Sequence, residues 1–320
     1  MPYRIAMLGT GEFALPSFQA LADSHHKVVG LVTQPDRFDA KGRVHQNVMK
    51  DFATARGIPV LQPTLINTVE SLAELQTLNA DLFMVAAYGQ ILSADVIGVP
   101  QQGCFNLHAS LLPKYRGAAP IQYAVWKGEQ ETGVSIFKIE PKLDAGPILA
   151  TLTTPIPPRE TAGELEIRMA ALVAPVTLKF LNDLERGQLI GTMQDKSLVT
   201  KAPKLKKEFG AIDWSQTVRQ IDCHVRAMQP WPMPYSYLKI DGRPTLRVLI
   251  LEVNPELFPD HSNHALGTIV HNDGQSLRVK CSGGSCQIER IQPVGKRPMA
   301  IAEFLRGYHA VVGSWFERTE

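Results

Sequence analysis

The chain has 320 residues, 44% hydrophobic and 20% charged, with 33 basic and 31 acidic side chains for a net charge of +2. That length and apolar content support a large core and suggest two domains. No run of eighteen apolar residues and no leading apolar segment occurs, so a membrane span and a secretory signal are not expected, and a soluble, cytoplasmic chain is.

The charge is uneven. Residues 201–320 carry 16 Lys/Arg and 12 Asp/Glu, whereas residues 1–200 carry 17 and 19. A mildly basic second half fits a polyanionic partner. Cys104, Cys223, Cys281 and Cys286 show neither CxxC spacing nor a paired His motif. This argues against a zinc site or a disulfide framework and for a reducing compartment.

In chain order, short apolar runs alternate with helical spacing. Arg4–Leu8, Val28–Thr33, Ile58–Leu61, Asp81–Ala87, Gly103–His108, Val134–Ile139 and Ile148–Thr153 read as strands. Residues 14–23, 45–56, 68–78, 93–98 and 118–127 read as helices between them. The alternation predicts an α/β, Rossmann-like domain with a mostly parallel sheet and ligands beyond the carboxyl ends of its strands. Gly9-Thr-Gly-Glu-Phe-Ala14, between the first strand and first helix, matches G-x-G-x-x-A. It reads either as dinucleotide binding or as a glycine turn packing helix on strand. Thr161-Ala-Gly-Glu164 is a capping box that opens a long helix to about Leu184.

Residues 188–211 lose periodicity. With Lys201, Lys204, Lys206 and Lys207 they predict an exposed basic linker. A helix is expected over about Thr217–Met228, followed by the irregular Gln229-Pro-Trp-Pro-Met-Pro234. Five short strands (Ser236–Ile240, Thr245–Val253, Gly267–His271, Leu277–Lys280 and Gln287–Ile291) then suggest a small OB-like β-barrel, with Asp241-Gly242 as a hairpin turn. The expected division is 1–187, linker 188–211, and barrel 212–320.

Chemistry concentrates at Asn106-Leu-His108, which precedes Ser110-Leu-Leu-Pro113 and is answered by Asp144 in a Pro/Gly-bounded loop. Strand parity puts Asn106 and His108 on one side. A carboxamide, an imidazole and a carboxylate at a strand tip suit proton transfer and stabilisation of a developing oxyanion, whereas plain RNA binding needs none of them. Cys104 shares their parity but lies inside the strand, and reads as buried.

These motifs, with Thr33-Gln-Pro-Asp-Arg37, Ala86-Ala-Tyr-Gly-Gln-Ile-Leu92, Arg116-Gly-Ala-Ala-Pro120, Ala202-Pro-Lys204, Ile212-Asp-Trp214 and Pro230-Trp-Pro232, resemble the methionyl-tRNA formyltransferase family along nearly the whole chain. The resemblance implies transfer of a formyl group from 10-formyltetrahydrofolate to the α-amino group of methionine on initiator tRNA, by a monomer that uses no metal. It makes Asn106, His108 and Asp144 catalytic. Asn106 donates to the formyl oxygen. His108 either donates there when protonated or takes the amine proton. Asp144 orients the imidazole or relays a proton toward the folate. Ser110, Leu111, Leu112 and Pro113 would contact folate, with Tyr88, Gly89, Gln90, Ile91 and Leu92 walling the same pocket. Arg37, Lys41 and Arg43, with Lys204, Lys206 and Lys207, would meet tRNA. The catalytic motif alone also fits folate-dependent formyltransferases acting on amino sugar nucleotides, which is the alternative reading. Gly11 stands where the family usually has proline, and the 37–43 loop is less basic than usual. These departures bear on the grip on tRNA rather than on formyl chemistry.

Overall fold

The computed structural model describes residues 2–39 and 41–319. The chain forms two compact units: residues 1–120, 131–155 and 165–204, and residues 121–130, 156–164 and 205–320.

The first unit contains β1 (Arg4–Gly9), α1 (Leu15–Ala22), β2 (Lys27–Val32), α2 (Val48–Ala55), β3 (Val60–Leu61), α3 (Val69–Thr77), β4 (Leu82–Ala86), α4 (Ala94–Ile97), β5 (Gly103–His108) and β6 (Arg116–Gly117). After α5 (Pro120–Trp126) come β7 (Glu131–Lys138), β8 (Ile148–Pro155), α6 (Ala162–Glu185) and β9 (Lys201–Ala202). The main sheet has the order β3-β2-β1-β4-β5-β7-β8. β1 through β5 run parallel, whereas β7 and β8 return antiparallel. The order reverses between β1 and β4, so the loops after β1, β2, β4 and β5 all leave one edge of the sheet around a topological switch point.

Both faces of this sheet are covered. Ala6, Leu8, Phe83, Val85 and Cys104 pack with Leu75, Leu78 and Val96 of the flanking helices. Phe18, Ile5, Met7 and Leu31, off that cluster, are also fully buried. Phe105 meets Phe180 of α6 edge-on at 5.0 Å between ring centroids. Each such side chain contributes roughly 1.5–3 kcal/mol by leaving water. Buried on both faces, the parallel strands read as continuous apolar runs rather than alternating ones. The Thr161–Glu164 capping box forms as expected, with Thr161 N–H on Glu164 Oε2 at 2.9 Å and Glu164 N–H on Thr161 Oγ1 at 3.3 Å.

The second unit carries α7 (Val218–Ala227), β10 (Tyr235–Lys239), β11 (Leu246–Val253), β12 (Ile269–Asn272), β13 (Leu277–Cys281), β14 (Gly284–Pro293), β15 (Met299–Ala300), α8 (Ile301–Tyr308) and β16 (Trp315–Glu317). Its antiparallel sheet runs β12-β13-β14-β11-β10-β16. A bridge from Thr268 to Trp315, with Phe316 N–H on Gly267 O at 2.8 Å, brings the two ends together and nearly closes the barrel. The five expected strands are present. β15, α8 and β16 were not foreseen, and β16 completes the ring. Among the described residues no helix is long and apolar enough to cross a membrane.

Candidate active site

β5 delivers the central residues. Its partner β7 runs antiparallel, pairing Asn106 with Phe137 and His108 with Ser135. Asn106 is part-exposed, and its carboxamide makes no hydrogen bond within the described residues. His108 is 5% exposed and Asp144 8%. His108 Nδ1 lies 3.8 Å from Asp144 Oδ2, an ion-pair distance, and His108 Nε2 lies 2.9 Å from the carbonyl of Tyr115. A carbonyl only accepts, so Nε2 carries the proton in the neutral ring. The neutral tautomer therefore turns the Nδ1 lone pair toward Asp144. The structure thus brings His108 and Asp144 together, at the strand end that presents Asn106.

Asp144 takes a left-handed backbone conformation, φ +47°. That is uncommon for a residue with a side chain and costs on the order of 1–3 kcal/mol. Bonds from distant residues hold it. Gly117 N–H donates to Asp144 Oδ2 at 2.8 Å. The Gln194 amide donates to the carbonyls of Asp144 and Gly146 at 2.9 and 2.8 Å. Gln194 Oε1 in turn accepts from Arg116 Nε and Nη2 at 3.2 and 2.6 Å. Gly117 has φ +124°, and a Cβ there would lie 2.6 Å from Ala202 O, so glycine is required where β6 pairs with β9.

The loop after β5 is tied to β7. Ser135 Oγ accepts from Leu112 N–H at 3.0 Å and donates to Ser110 O at 2.8 Å. Ser110 Oγ donates to Lys114 O at 2.6 Å, and Ser110 N–H to His108 O at 2.9 Å. Ser110 N–H and C=O and Leu112 N–H are thus engaged internally, as a buried polar group without a partner is costly. The Leu112–Pro113 peptide is cis.

The 88–92 segment follows β4 and therefore leaves the same edge as β5. Its residues diverge. Tyr88 and Leu92 join the apolar core, and burial pushes the Tyr88 phenol up to about 12. Gly89 and Ile91 are exposed, and Gln90 accepts from Ile66 N–H at 2.9 Å. Burial pushes the Cys104 thiol up to about 12, so it is no nucleophile.

The Gln34–Asp36 stretch knits these loops together. Gln34 Nε2 donates to Tyr88 O at 2.9 Å, and Asp36 accepts from Lys50 at 2.6 Å and Gln62 at 2.9 Å. Those two donors hold the Asp36 carboxyl below its ordinary range and engage both of its oxygens, the acid at the tip of β2. At Gly9 a Cβ would lie 3.0 Å from Ala86 O and Met49 Cε and 3.1 Å from Ala14 Cβ, as in a turn that packs helix on strand.

Beyond β2 the chain forms a small hairpin. Phe38 bridges Val44, and Asp39 accepts from Lys41 N–H and Arg43 N–H at 2.8 and 2.9 Å and pairs with the Arg43 guanidinium at 2.7 Å. Arg37, Lys41 and Arg43 are exposed, as are Lys204, Lys206 and Lys207. Residues 188–211 are not wholly exposed. Gln194, Ala202 and Leu205 are buried between the exposed lysines.

Sequence reasoning missed Tyr115, Gly117, Ser135 and Gln194 as site residues. Arg116-Gly117 sat in a recognised motif, and Gln194 was a lone amide in a stretch taken as solvated. Nothing local marks it as buried. Elsewhere His25, His26 and Glu185 bring ligand-type atoms within 4.8 Å of one another. His26 Nδ1 accepts from Tyr3 N–H at 3.1 Å, which places its ring proton on the other nitrogen, the one a metal would need bare.

The formyl transferase family profile matches residues 3–178, and the formyl transferase C-terminal domain profile matches residues 204–309. The chain is 40% identical over 323 residues to a protein from Rhodopirellula baltica named methionyl-tRNA formyltransferase, covering 97% of this chain and 95% of that one. Among solved structures it resembles WlaRD, a sugar 3N-formyl transferase crystallised with dTDP and 5-N-formyl-THF, with TM-score 0.64 and 18% identity, over 93% of this chain and 100% of that one. It also resembles HypX from Aquifex aeolicus, with TM-score 0.61 and 18% identity over 96% of this chain. The chain spans about half of HypX, 48% of its length. At these identities the structural likenesses speak to the fold alone.

Proposed function

The chain belongs to the methionyl-tRNA formyltransferase family, and from that premise we propose that it transfers the formyl group of 10-formyltetrahydrofolate to the α-amino group of methionine on initiator tRNA. The juxtaposition of Asn106, His108 and Asp144 at the end of β5 carries the reading.

Each residue has a role that its geometry allows. Asn106, with a free carboxamide, donates N–H to the formyl oxygen as negative charge develops there, an interaction stronger in the transition state than in the ground state. His108 holds its Nε2 proton against Tyr115 O and takes the proton of the attacking amine on Nδ1. The imidazolium so formed lies 3.8 Å from the Asp144 carboxylate, which stabilises it. Proton return to the departing folate nitrogen follows from the same atom. Gly89 and Ile91, exposed at the same sheet edge, and Leu111, Leu112 and Pro113 are the residues we assign to the folate. Tyr88, Gln90, Leu92 and Ser110 support that wall from beneath.

Arg37, Lys41 and Arg43, with Lys204, Lys206 and Lys207, offer exposed cations for tRNA phosphates. In this reading residues 1–187 bind the donor, 188–211 form the linker and 212–320 hold the tRNA, in a monomer working in the cytoplasm. The 40% identity to a tRNA-acting relative favours tRNA over an amino sugar nucleotide as acceptor. The test is incubation with 10-formyltetrahydrofolate and charged initiator tRNA. Formylmethionine is expected, with a rate that falls steeply as salt is raised. No product, or product only with an amino sugar nucleotide, contradicts the reading.

A further inference from the structure

Tyr115, Arg116 and Gly117 are consecutive and each holds a different part of the active site. The Tyr115 carbonyl fixes the His108 tautomer, the Arg116 guanidinium grips Gln194, and the Gly117 N–H binds the Asp144 carboxylate. This tripeptide is itself held by the segment that follows Gln194. Tyr115 N–H donates to Thr200 Oγ1 at 2.8 Å, Arg116 N–H to Thr200 O at 2.9 Å, and Ala119 N–H to Ala202 O at 3.1 Å. Gln194 closes the circuit from the other side, since its amide bonds the carbonyls of Asp144 and Gly146.

We propose that Gln194 is a positioning residue for formyl transfer, which keeps the Asp144 carboxylate beside His108 Nδ1 by clamping the left-handed backbone of the 144–146 loop. Its amide orientation follows from its partners. Arg116 can only donate and the two carbonyls can only accept, so oxygen and nitrogen are assigned without ambiguity. Gln194 is 9% exposed, so its bonds have little competition from water. Without the amide, two buried carbonyls lose their donor and the Asp144 backbone relaxes toward ordinary φ. The carboxylate then swings from Nδ1. Small displacements of a catalytic group cost up to about 100-fold in rate.

This inference rests on the proposed formyl transfer. The test compares wild type and Gln194→Met under steady-state formylation of charged tRNA. Methionine matches glutamine in length and cannot donate. We expect kcat to fall roughly 10- to 100-fold, with KM for tRNA changed less than about twofold, since the tRNA-facing cations are untouched. In the Asp144→Asn background the Gln194→Met change should add nearly nothing, as expected of residues acting as one unit. Gln194→Glu keeps an acceptor for Arg116 and loses the donor, and it serves for the same comparison if the methionine variant does not fold. A variant with lower thermal stability but unchanged kcat, or effects additive with Asp144→Asn, overturns the proposal. A wild-type protein that forms no formylmethionine overturns the formyl-transfer reading instead.

Discussion

His108 and Asp144 are held by residues 7, 27 and 50 positions away, whereas Arg43 and Lys41 are held by Asp39, four and two positions away in the same turn. The hairpin follows β2 and His108 ends β5, both at one edge of the sheet, whereas the loop of Asp144 follows the antiparallel β7. The site proposed for chemistry holds His108 and Asp144 buried and fixed by long-range bonds. The hairpin assigned to tRNA is exposed and closes on itself. Change within the hairpin therefore stays local and should alter binding alone. Change around Asp144 reaches the proton-transfer geometry from far along the chain.

The contrast is broken most directly by truncating the exposed donor of the buried site. Asn106→Ala should lower kcat by ~10²-fold or more, the size of loss seen when an oxyanion donor is removed, with tRNA affinity retained in a filter-binding assay. A comparable rise in KM for tRNA would mean that Asn106 serves binding instead. In the hairpin, Lys41→Ala with Arg43→Ala should raise KM for tRNA while leaving kcat within about twofold, and should reduce the log–log salt slope by about 2. A fall in kcat without a change in slope would erase the distinction between the two regions.

How far these regions were legible in the sequence differs in the same way. Strands Gly103–His108 and Arg4–Gly9, the 161–164 capping box and the Asp241-Gly242 turn announce themselves through near neighbours, and they lie where the pattern puts them. Asn106 and His108 were visible by strand parity. Gln194, Ser135 and the Tyr115 carbonyl were not, since a buried amide, a serine on a strand and a backbone oxygen carry no local signature of the residue they will meet. β16 was missed because Trp315-Phe-Glu317 is only three residues long and gains its strand character from pairing with β10. The basic stretch near 201 was read from its lysines. Ala202 and Leu205, which bury themselves between those lysines, were too few to make a period.

Smaller effects sharpen the comparison. Ser135→Ala leaves a buried N–H at Leu112 and a carbonyl at Ser110 without their partner. It should cost about 1–3 kcal/mol of stability, read by denaturant unfolding, and raise KM for the folate donor more than KM for tRNA. Equal effects on both substrates would detach the 110–113 loop from folate. Away from both regions, burial, reinforced by the nearby Glu12 carboxylate, raises the Glu166 carboxyl above its ordinary value of 4.5. Folding thus opposes its ionisation; the penalty is absent below that value, grows as pH rises toward the folded-state value and is complete above it. Glu166→Gln should stabilise the protein at neutral pH by about 0.5–1 kcal/mol, with the gain vanishing below about pH 4.5, as thermal melts at both pH values would show. A gain independent of pH would point to packing rather than charge.

The central claim is that the imidazole at the end of β5 moves the proton in formyl transfer while the tRNA is gripped elsewhere. Single-turnover transfer by His108→Ala, with donor and charged tRNA both saturating, tests it most directly. The account predicts a rate at least ~10²-fold below wild type, with tRNA bound as tightly as before. A near-normal rate at saturation would contradict it.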